Sequence, residues 1–161
     1  MTVRIGIGYD SHRFAAGRAL VLGGVTIPHD RGLDGWSDAD AVAHAFIDAI
    51  LGAAGQGDIG QMFPPDNPKW KDASSLDLLR RASLKVAELG YNIASADITV
   101  IAEQPRLAPY VDEMREKLAD AAVTGFSNVS VKAKTNEGMG FIGRGEGIAV
   151  IAVALLEEER T

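Results

Sequence analysis

The sequence contains no cysteine, which excludes disulfides, thiolate nucleophiles and cysteine-ligated zinc. Histidine is scarce, so any imidazole chemistry falls to His12, His29 and His44. There is no basic run: 16 Lys and Arg against 22 Asp and Glu leave a net charge of −6, a poor balance for neutralising a nucleic-acid backbone. There is no long hydrophobic run either. The longest, residues 148–156, is half of the roughly 18 residues a membrane span needs. The opening residues Met1-Thr2-Val3-Arg4-Ile5-Gly6 hold no basic region followed by a long apolar one. No signal peptide is therefore expected, and the cytoplasm is the expected location. What the chain does have is 161 residues, 47% of them apolar, enough for one core and a single domain over 1–161.

The patterning alternates between two periods. Residues 3–9 alternate every second position and predict an opening strand. Residues 20–27, broken at Gly23-Gly24, predict a short edge strand or hairpin arm. Ser37-Asp38-Ala39-Asp40 predicts a helix start, with Ser37 as cap and two acids in the first turn, running to about Leu51. A second helix is expected from the Ser74-Ser75 pair to Gly90, with Leu76, Leu79, Ala82, Val86 and Leu89 on one stripe. Three prolines make residues 63–68 a loop. Residues 97–102 read as a strand and Pro109 to Ala122 as a third helix. Residues 127–135 read as a strand with Val129, Val131 and Ala133 inward, closing a βαβ unit with a parallel pair. Residues 147–156, apolar almost throughout, predict a strand buried on both faces. The class is α/β or α+β, with about four main strands and three helices.

Several residues can carry chemistry. Asp10 and His12 are two apart on extended backbone and point to one side. His44 lies about two turns into the first helix, on the face of Asp40 and Asp48. One carboxylate and two imidazoles would leave zinc an open fourth position, the catalytic pattern. The 32-residue gap between His12 and His44 is equally that of histidines making separate hydrogen bonds. His29, after Pro28, reads as a surface loop residue.

The run Gly138-Met139-Gly140-Phe141-Ile142-Gly143 matches G-x-G-x-x-G, but only 18 residues follow it, too few for a dinucleotide-binding βαβ unit. Two readings remain for it: a phosphate-approached loop flanked by Lys132, Lys134 and Arg144, or an ordinary connection between two strands. Asp58 and Asp66 read as loop caps or as polar groups of a site, and Glu137 as a hard-cation ligand or a turn residue.

Taken together, these stretches resemble the 2-C-methyl-D-erythritol 2,4-cyclodiphosphate synthases of the non-mevalonate isoprenoid pathway. The resemblance is carried by Gly6-Ile7-Gly8-Tyr9-Asp10-Ser11-His12, by Ser37-Asp38-Ala39-Asp40 through His44, and by Leu51-Gly52-Ala53-Ala54. It continues in Gly57-Asp58-Ile59-Gly60, Phe63-Pro64, Lys132-Ala133-Lys134-Thr135-Asn136-Glu137 and Gly140-Phe141-Ile142-Gly143-Arg144-Gly145-Glu146-Gly147. It implies cyclisation of 4-diphosphocytidyl-2-C-methyl-D-erythritol 2-phosphate with release of CMP. The attacking oxygen belongs to the substrate, so no protein nucleophile is expected and positioning with charge neutralisation remains.

The resemblance further implies zinc or another divalent cation on Asp10, His12 and His44, and Mg²⁺ or Mn²⁺ at Glu137 bridging the diphosphate. Thr135 and the position of Trp36 match residues acting in the transition state. Asp58 and Gly60 match positions lining the erythritol pocket, the loop from Phe63 follows them, and Ser37 and Asn67 match substrate contacts. Ala102, Pro105 and Ala108, with Ala133 and Lys134, match the cytidine side. It implies a mixed four-stranded sheet with helices on one face, assembled as a homotrimer whose sites lie between subunits. Phe141 and Arg144 match substrate contacts, and Tyr9, Arg144 and Glu146 match an axial cavity for an isoprenoid diphosphate. Two positions depart from the family's common pattern: Trp36 stands where His is usual, and Asn67 where Asp is usual. A phosphohydrolase using the same zinc on water, or a non-catalytic nucleotide-binding module with a structural metal, are the competing readings; their marks are inorganic phosphate as product and unfolding on metal removal.

Overall fold

The period-two pattern at the N-terminus extends past its apolar residues. In the computed structural model, which describes residues 2–159, β1 runs Val3–Ala15 and carries Asp10, Ser11 and His12 within the strand rather than after it. Met1, Arg160 and Thr161, part of the expected 1–161 domain, lie outside the described residues. A hairpin of β2 (Leu20–Leu22) and β3 (Val25–Ile27) turns through Gly23-Gly24, and β4 (Gly32–Leu33) follows. Next come α1 (Ala41–Ala54), the one-turn α2 (Ile59–Met62) and α3 (Ser75–Glu88). The remainder is β5 (Tyr91–Ile101), α4 (Val111–Ala121), β6 (Val129–Lys134), the short α5 (Gly140–Gly143) and β7 (Gly147–Glu158).

Among the described residues one mixed sheet has the order β4-β1-β7-β5-β6. That is five strands where four were expected. The addition is β4, two residues paired with Phe14 and Ala15, too short to leave a period in the sequence. The βαβ expectation holds: β5 and β6 pair in parallel through α4, whereas β7 pairs antiparallel with both β1 and β5.

Helices α1, α3 and α4 pack on one face of this sheet. Glycine sets how closely α1 approaches. A Cβ on Gly8 would lie 1.9 Å from the Ala45 carbonyl oxygen, and one on Gly6 2.1 Å from that of Ala49. With no side chain there, α1 rests on the backbone of β1, and its small face of Ala45, Ala49 and Ala53 is buried. This contact brings His44 of α1 alongside Asp10 of β1.

The opposite face is uncovered. Ile148, Val150, Ala152, Ala154 and Leu156 of β7 are buried, but Ile151 and Val153 are each 37% exposed. The expectation of burial on both faces is therefore corrected for the single chain. Ile5 and Ile7 of β1, 71% and 70% exposed, continue the same bare apolar surface together with Tyr9. Ala133, expected inward, is also exposed.

The expected cap of α1 moves by three residues. Ala39 has φ +58, a left-handed conformation that no helix interior tolerates. The helix therefore starts at Ala41, with Asp40 rather than Ser37 as N-cap and no acid in its first turn. Asp40 is fully buried. Its carboxylate accepts from the N–H groups of Val42 and Ala43 and from Gly23 and Gly24 of the hairpin turn, at 2.7 to 3.1 Å. Burial, with Asp38 nearby, pushes this carboxyl up to about 6. The second helix forms as expected, but Ser74 caps it without a side-chain bond and Leu89 is exposed. Among the described residues no helix is long and apolar enough to cross a membrane.

Candidate functional site

The C-terminal part of β1 and the first turn of α1 bring Asp10, His12 and His44 together. Asp10 Oδ2 lies 2.8 Å from His12 Nε2 and 3.1 Å from His44 Nδ1. The two ring nitrogens are 3.3 Å apart. Bonds of about 2.0 Å to a tetrahedral ion give ligand separations of about 3.3 Å, so these atoms have the spacing of a three-ligand metal centre. The outer nitrogen of His12 is engaged as such a centre requires. His12 Nδ1 donates to the Asp34 carbonyl at 2.6 Å, and a carbonyl can only accept, so Nε2 keeps its lone pair toward the cluster. One carboxylate oxygen and two imidazole nitrogens suit zinc. The donors fit the ion.

Electrostatics in the cluster follow from the same contacts. Burial raises the Asp10 carboxyl, but hydrogen bonds and charge from His12 and His44 outweigh it and hold the group below its ordinary value. Burial lowers His12, but its bond to Asp10, the Asp10 charge and the Asp34 carbonyl outweigh that and hold it above the ordinary imidazole value.

His12 and His44 form one wall of a cleft of about 260 Å³, with Trp36, Ser37, Gly60, Phe63, Pro65 and Trp70 among its other lining residues. Phe63 meets Trp70 edge-on at 5.0 Å. Four of the expected substrate-contact residues, Trp36, Ser37, Gly60 and Phe63, thus line the cleft beside the cluster. Asp58 and Asn67 are not among its lining residues. Asp58 caps α2 by accepting from Gln61 N–H, and Asn67 Oδ1 accepts from Lys69 N–H. The Trp36 indole N–H donates to the Asn67 carbonyl.

A second cleft, about 240 Å³, lies at the same end of the sheet, where β5 and β6 finish. Ala102, Pro105, Ala108, Ala133 and Lys134, the residues the resemblance assigns to the cytidine side, all line it, and Thr135, Glu103 and Arg106 join them. Register places His12 of β1 opposite Ile148, and Ile101 of β5 opposite both Ala149 and Lys134. The strands that carry His12 and Lys134, one in each cleft, are therefore three strand spacings apart, about 14 Å. They share no lining residue.

Glu137 stands in the loop after β6, exposed and outside the Asp10 cluster. The Gly-rich run forms α5 and connects β6 to β7, so it is a connection between strands and not a dinucleotide fold. Most of its entry N–H groups are not free for an anion. Asn136 and Gly138 donate to Glu103 Oε1, Glu137 to Thr135 Oγ1, and Met139 to the Asn136 carbonyl. Lys132, expected to flank it, pairs with Asp97, and Arg144 pairs with Glu146. Phe141 and Glu146 line a third cleft of about 530 Å³ with Ser11, His12 and Arg13.

His29 is not simply a surface residue. Its ring packs on Phe14 at 5.4 Å, and Nε2, 3.3 Å from Asp30 Oδ1, makes no aligned hydrogen bond. Sequence reasoning missed Asp34, Glu103 and Ser75. Asp34 acts through its backbone carbonyl, which no side-chain pattern reveals, and Ser75 had been taken for a helix cap.

The YgbB family model matches residues 3–157. The chain is 58% identical to the 2-C-methyl-D-erythritol 2,4-cyclodiphosphate synthase of Moorella thermoacetica, over 96% of this chain and 94% of that protein. Its fold superposes on the bifunctional IspDF of Campylobacter jejuni with a TM-score of 0.94 at 41% identity, covering 98% of this chain and 42% of that one. It also superposes on IspF of Plasmodium falciparum in its CDP complex, with a TM-score of 0.86 at 34% identity, covering 98% and 97%.

Proposed function

The chain belongs to the YgbB family and is a 2-C-methyl-D-erythritol 2,4-cyclodiphosphate synthase, and from that premise we propose how its own residues carry the reaction. The substrate is 4-diphosphocytidyl-2-C-methyl-D-erythritol 2-phosphate. An oxygen of its 2-phosphate forms a bond to the β-phosphorus, the bond from that phosphorus to the bridging oxygen breaks, and CMP leaves with the electron pair. The observation that carries this reading is the convergence of Asp10 Oδ2, His12 Nε2 and His44 Nδ1 in the wall of an apolar cleft.

Asp10, His12 and His44 hold a divalent cation, zinc by the chemistry of the donors, which when bound neutralises and orients phosphate oxygens. Glu137, exposed beside Thr135, is the ligand for a second, harder cation, Mg²⁺ or Mn²⁺. The cleft of Ala102, Pro105, Ala108, Ala133 and Lys134 takes the cytidine. The Thr135 hydroxyl and the Lys134 ammonium then lie at its phosphate end, where they steady the diphosphate and offset its charge. Ser37, Gly60 and Phe63 enclose the methylerythritol carbon skeleton and hold the 2-phosphate in line, with Asp58 and the Asn67 segment at the rim. Trp36 shapes this pocket and adds no ionisable group. Positioning of this kind supplies most of what an intramolecular transfer needs.

Three copies assemble with their bare β1–β7 faces together. This brings Phe141 and Arg144 toward the phosphates and gathers Tyr9, Arg144 and Glu146 around an axial cavity able to hold an isoprenoid diphosphate. The support for assembly is the uncovered surface of Ile5, Ile7, Ile151 and Val153. A diphosphate-bearing substrate does not cross a bilayer unaided, so the reaction belongs in the cytoplasm.

Product analysis on purified protein tests the reading. CMP and the cyclodiphosphate are expected in equal amounts without inorganic phosphate, and His44→Ala should lose zinc and CMP release while keeping its circular dichroism spectrum. Inorganic phosphate as the main product, or full zinc content in that variant, would overturn the assignment.

A further inference from the structure

His44 reaches beyond the cluster with its second ring nitrogen. Nε2 lies 2.8 Å from Ser75 Oγ and 3.1 Å from Ser37 Oγ. Ser75 is the first residue of α3 and is fully buried. It is held by one carboxylate at two points: its N–H donates to Asp38 Oδ2 at 3.0 Å, and its hydroxyl donates to Asp38 Oδ1.

Proton counting fixes the rest. A serine hydroxyl has one proton, and an ionised carboxylate can only accept. With its proton given to Asp38, Ser75 Oγ presents lone pairs to His44, so Nε2 must be the donor. A neutral imidazole protonated on Nε2 keeps its free lone pair on Nδ1, and Nδ1 is the atom that faces Asp10 and His12. We propose that Asp38 and Ser75 are positioning residues that set the tautomer and ring orientation of His44 for the cation. The proposal rests on reading Asp10, His12 and His44 as that cation's ligands. Ser37 Oγ, farther from Nε2 and already accepting from Ala39 N–H, is a secondary acceptor. Carboxylate, hydroxyl and imidazole thus form a relay from the start of α3 to the site, and loss of such an outer partner weakens a metal centre by about 10- to 100-fold.

The relay makes a prediction that a purely structural role does not. Ser75→Ala removes only the hydroxyl and leaves the backbone bond to Asp38. Asp38→Asn is worse in kind. Its amide donates to Ser75 Oγ, the Ser75 proton turns toward His44 Nε2, and the imidazole proton is driven onto Nδ1, where a ligand lone pair is needed. The wrong tautomer is transmitted only while the hydroxyl is present.

The test is zinc affinity of the full-length protein, measured by chelator competition at one pH, with circular dichroism on each variant. The parent is expected to bind one zinc per chain at this site. Ser75→Ala should bind about tenfold more weakly, Asp38→Asn about 100-fold more weakly, and the double variant no more weakly than Ser75→Ala alone. Multiplying losses in the double variant, or a folded Ser75→Ala within twofold of the parent, would overturn the relay. If Asp38→Asn does not fold, Ser75→Ala decides by itself. A parent that binds no zinc overturns the metal-centre reading and the relay with it, whereas equal binding by parent and Ser75→Ala overturns the relay alone.

Discussion

The indole Nε1 of Trp36 donates to the backbone carbonyl of Asn67 at 3.3 Å. The two positions that depart from the common family pattern are therefore joined to each other. The bond uses the Asn67 main chain, and the Asn67 side chain is spent on Lys69 N–H. Trp36 also accepts at its carbonyl from Asp72 N–H, so this residue ties down the proline-rich loop at Asn67 and the segment that follows it at Asp72. Its N–H is occupied and does not point freely at phosphate. Trp36→Phe is expected to lower kcat by no more than about tenfold, about 1.4 kcal/mol, with a severalfold rise in KM as the loop loosens. Trp36→His should add an inflection near pH 6.5 that the parent lacks. Steady-state CMP release against pH decides. A hundredfold fall in kcat for Trp36→Phe at unchanged KM would show that the indole does reach the transferring phosphate.

If the cluster holds zinc as proposed, stability and zinc binding respond oppositely to pH across the His12 titration. The Asp10 carboxyl is held below its ordinary value, so its contribution is present above about pH 4 and is lost as pH falls through the lowered folded value. His12 is held above its ordinary value, so its contribution is present below about pH 6.5 and is lost as pH rises through the raised one. Metal-free protein should therefore lose this stabilisation as pH rises above about 6.5. Zinc needs the His12 Nε2 lone pair and displaces that proton, so its affinity rises over the same range. The difference in Tm between zinc-loaded and chelated protein is expected to widen from pH 6 to 8. A gap that narrows would contradict the ligand assignment.

Much of the fold was legible because its periods are local. Residues 3–9 alternate, and Gly23-Gly24 interrupts an apolar run where a two-residue hairpin turn sits. The start of α1 was misread because Ser37 and Asp40 are both good caps, and the choice between them is made by the left-handed Ala39 and the burial of Asp40 under the hairpin. In β7 every residue from Ile148 to Leu156 is apolar, and an apolar residue reads the same whether a helix or nothing in its own chain covers it. Asp10 and His12 could be paired from strand geometry. His44 could not be joined to them by spacing, because the contact depends on Gly6 and Gly8 letting α1 against β1. Ser75 and Asp38, 37 positions apart, meet only through the packing of α3 on α1.

Asp40 is predicted to be the most sensitive surface-remote polar residue. Its carboxylate serves four backbone donors with no solvent access. Asn keeps the shape, but its amide hydrogens face the Gly24 N–H in one orientation and the N–H groups of Gly23, Val42 and Ala43 in the other, leaving buried donors unpaired. Such a loss costs about 2–3 kcal/mol, or roughly 6–10 °C in Tm for a chain of this size. Thermal denaturation of Asp40→Asn checks it. A change under 2 °C would mean that water reaches this turn.

The bare face of β1 and β7 tests assembly. If three copies pack there, each buries Ile7 against its neighbours, worth about 1.5–3 kcal/mol per side chain, and a charge at that position would be left without water or partner. Ile7→Glu is then expected to give a 17.0 kDa monomer by light scattering, with lowered Tm and lost CMP release, although Asp10, His12 and His44 are untouched. If the chain works alone, Ile7 is simply a solvent-facing residue, 70% exposed. The same substitution would then leave Tm and turnover within error, because a glutamate on an open sheet face stays hydrated. The parent should run as a trimer at micromolar concentration. A parent that stays monomeric, with full activity retained in Ile7→Glu, would show that one chain holds a complete site and that the clefts at its β1 and β6 sides are bridged by substrate within it.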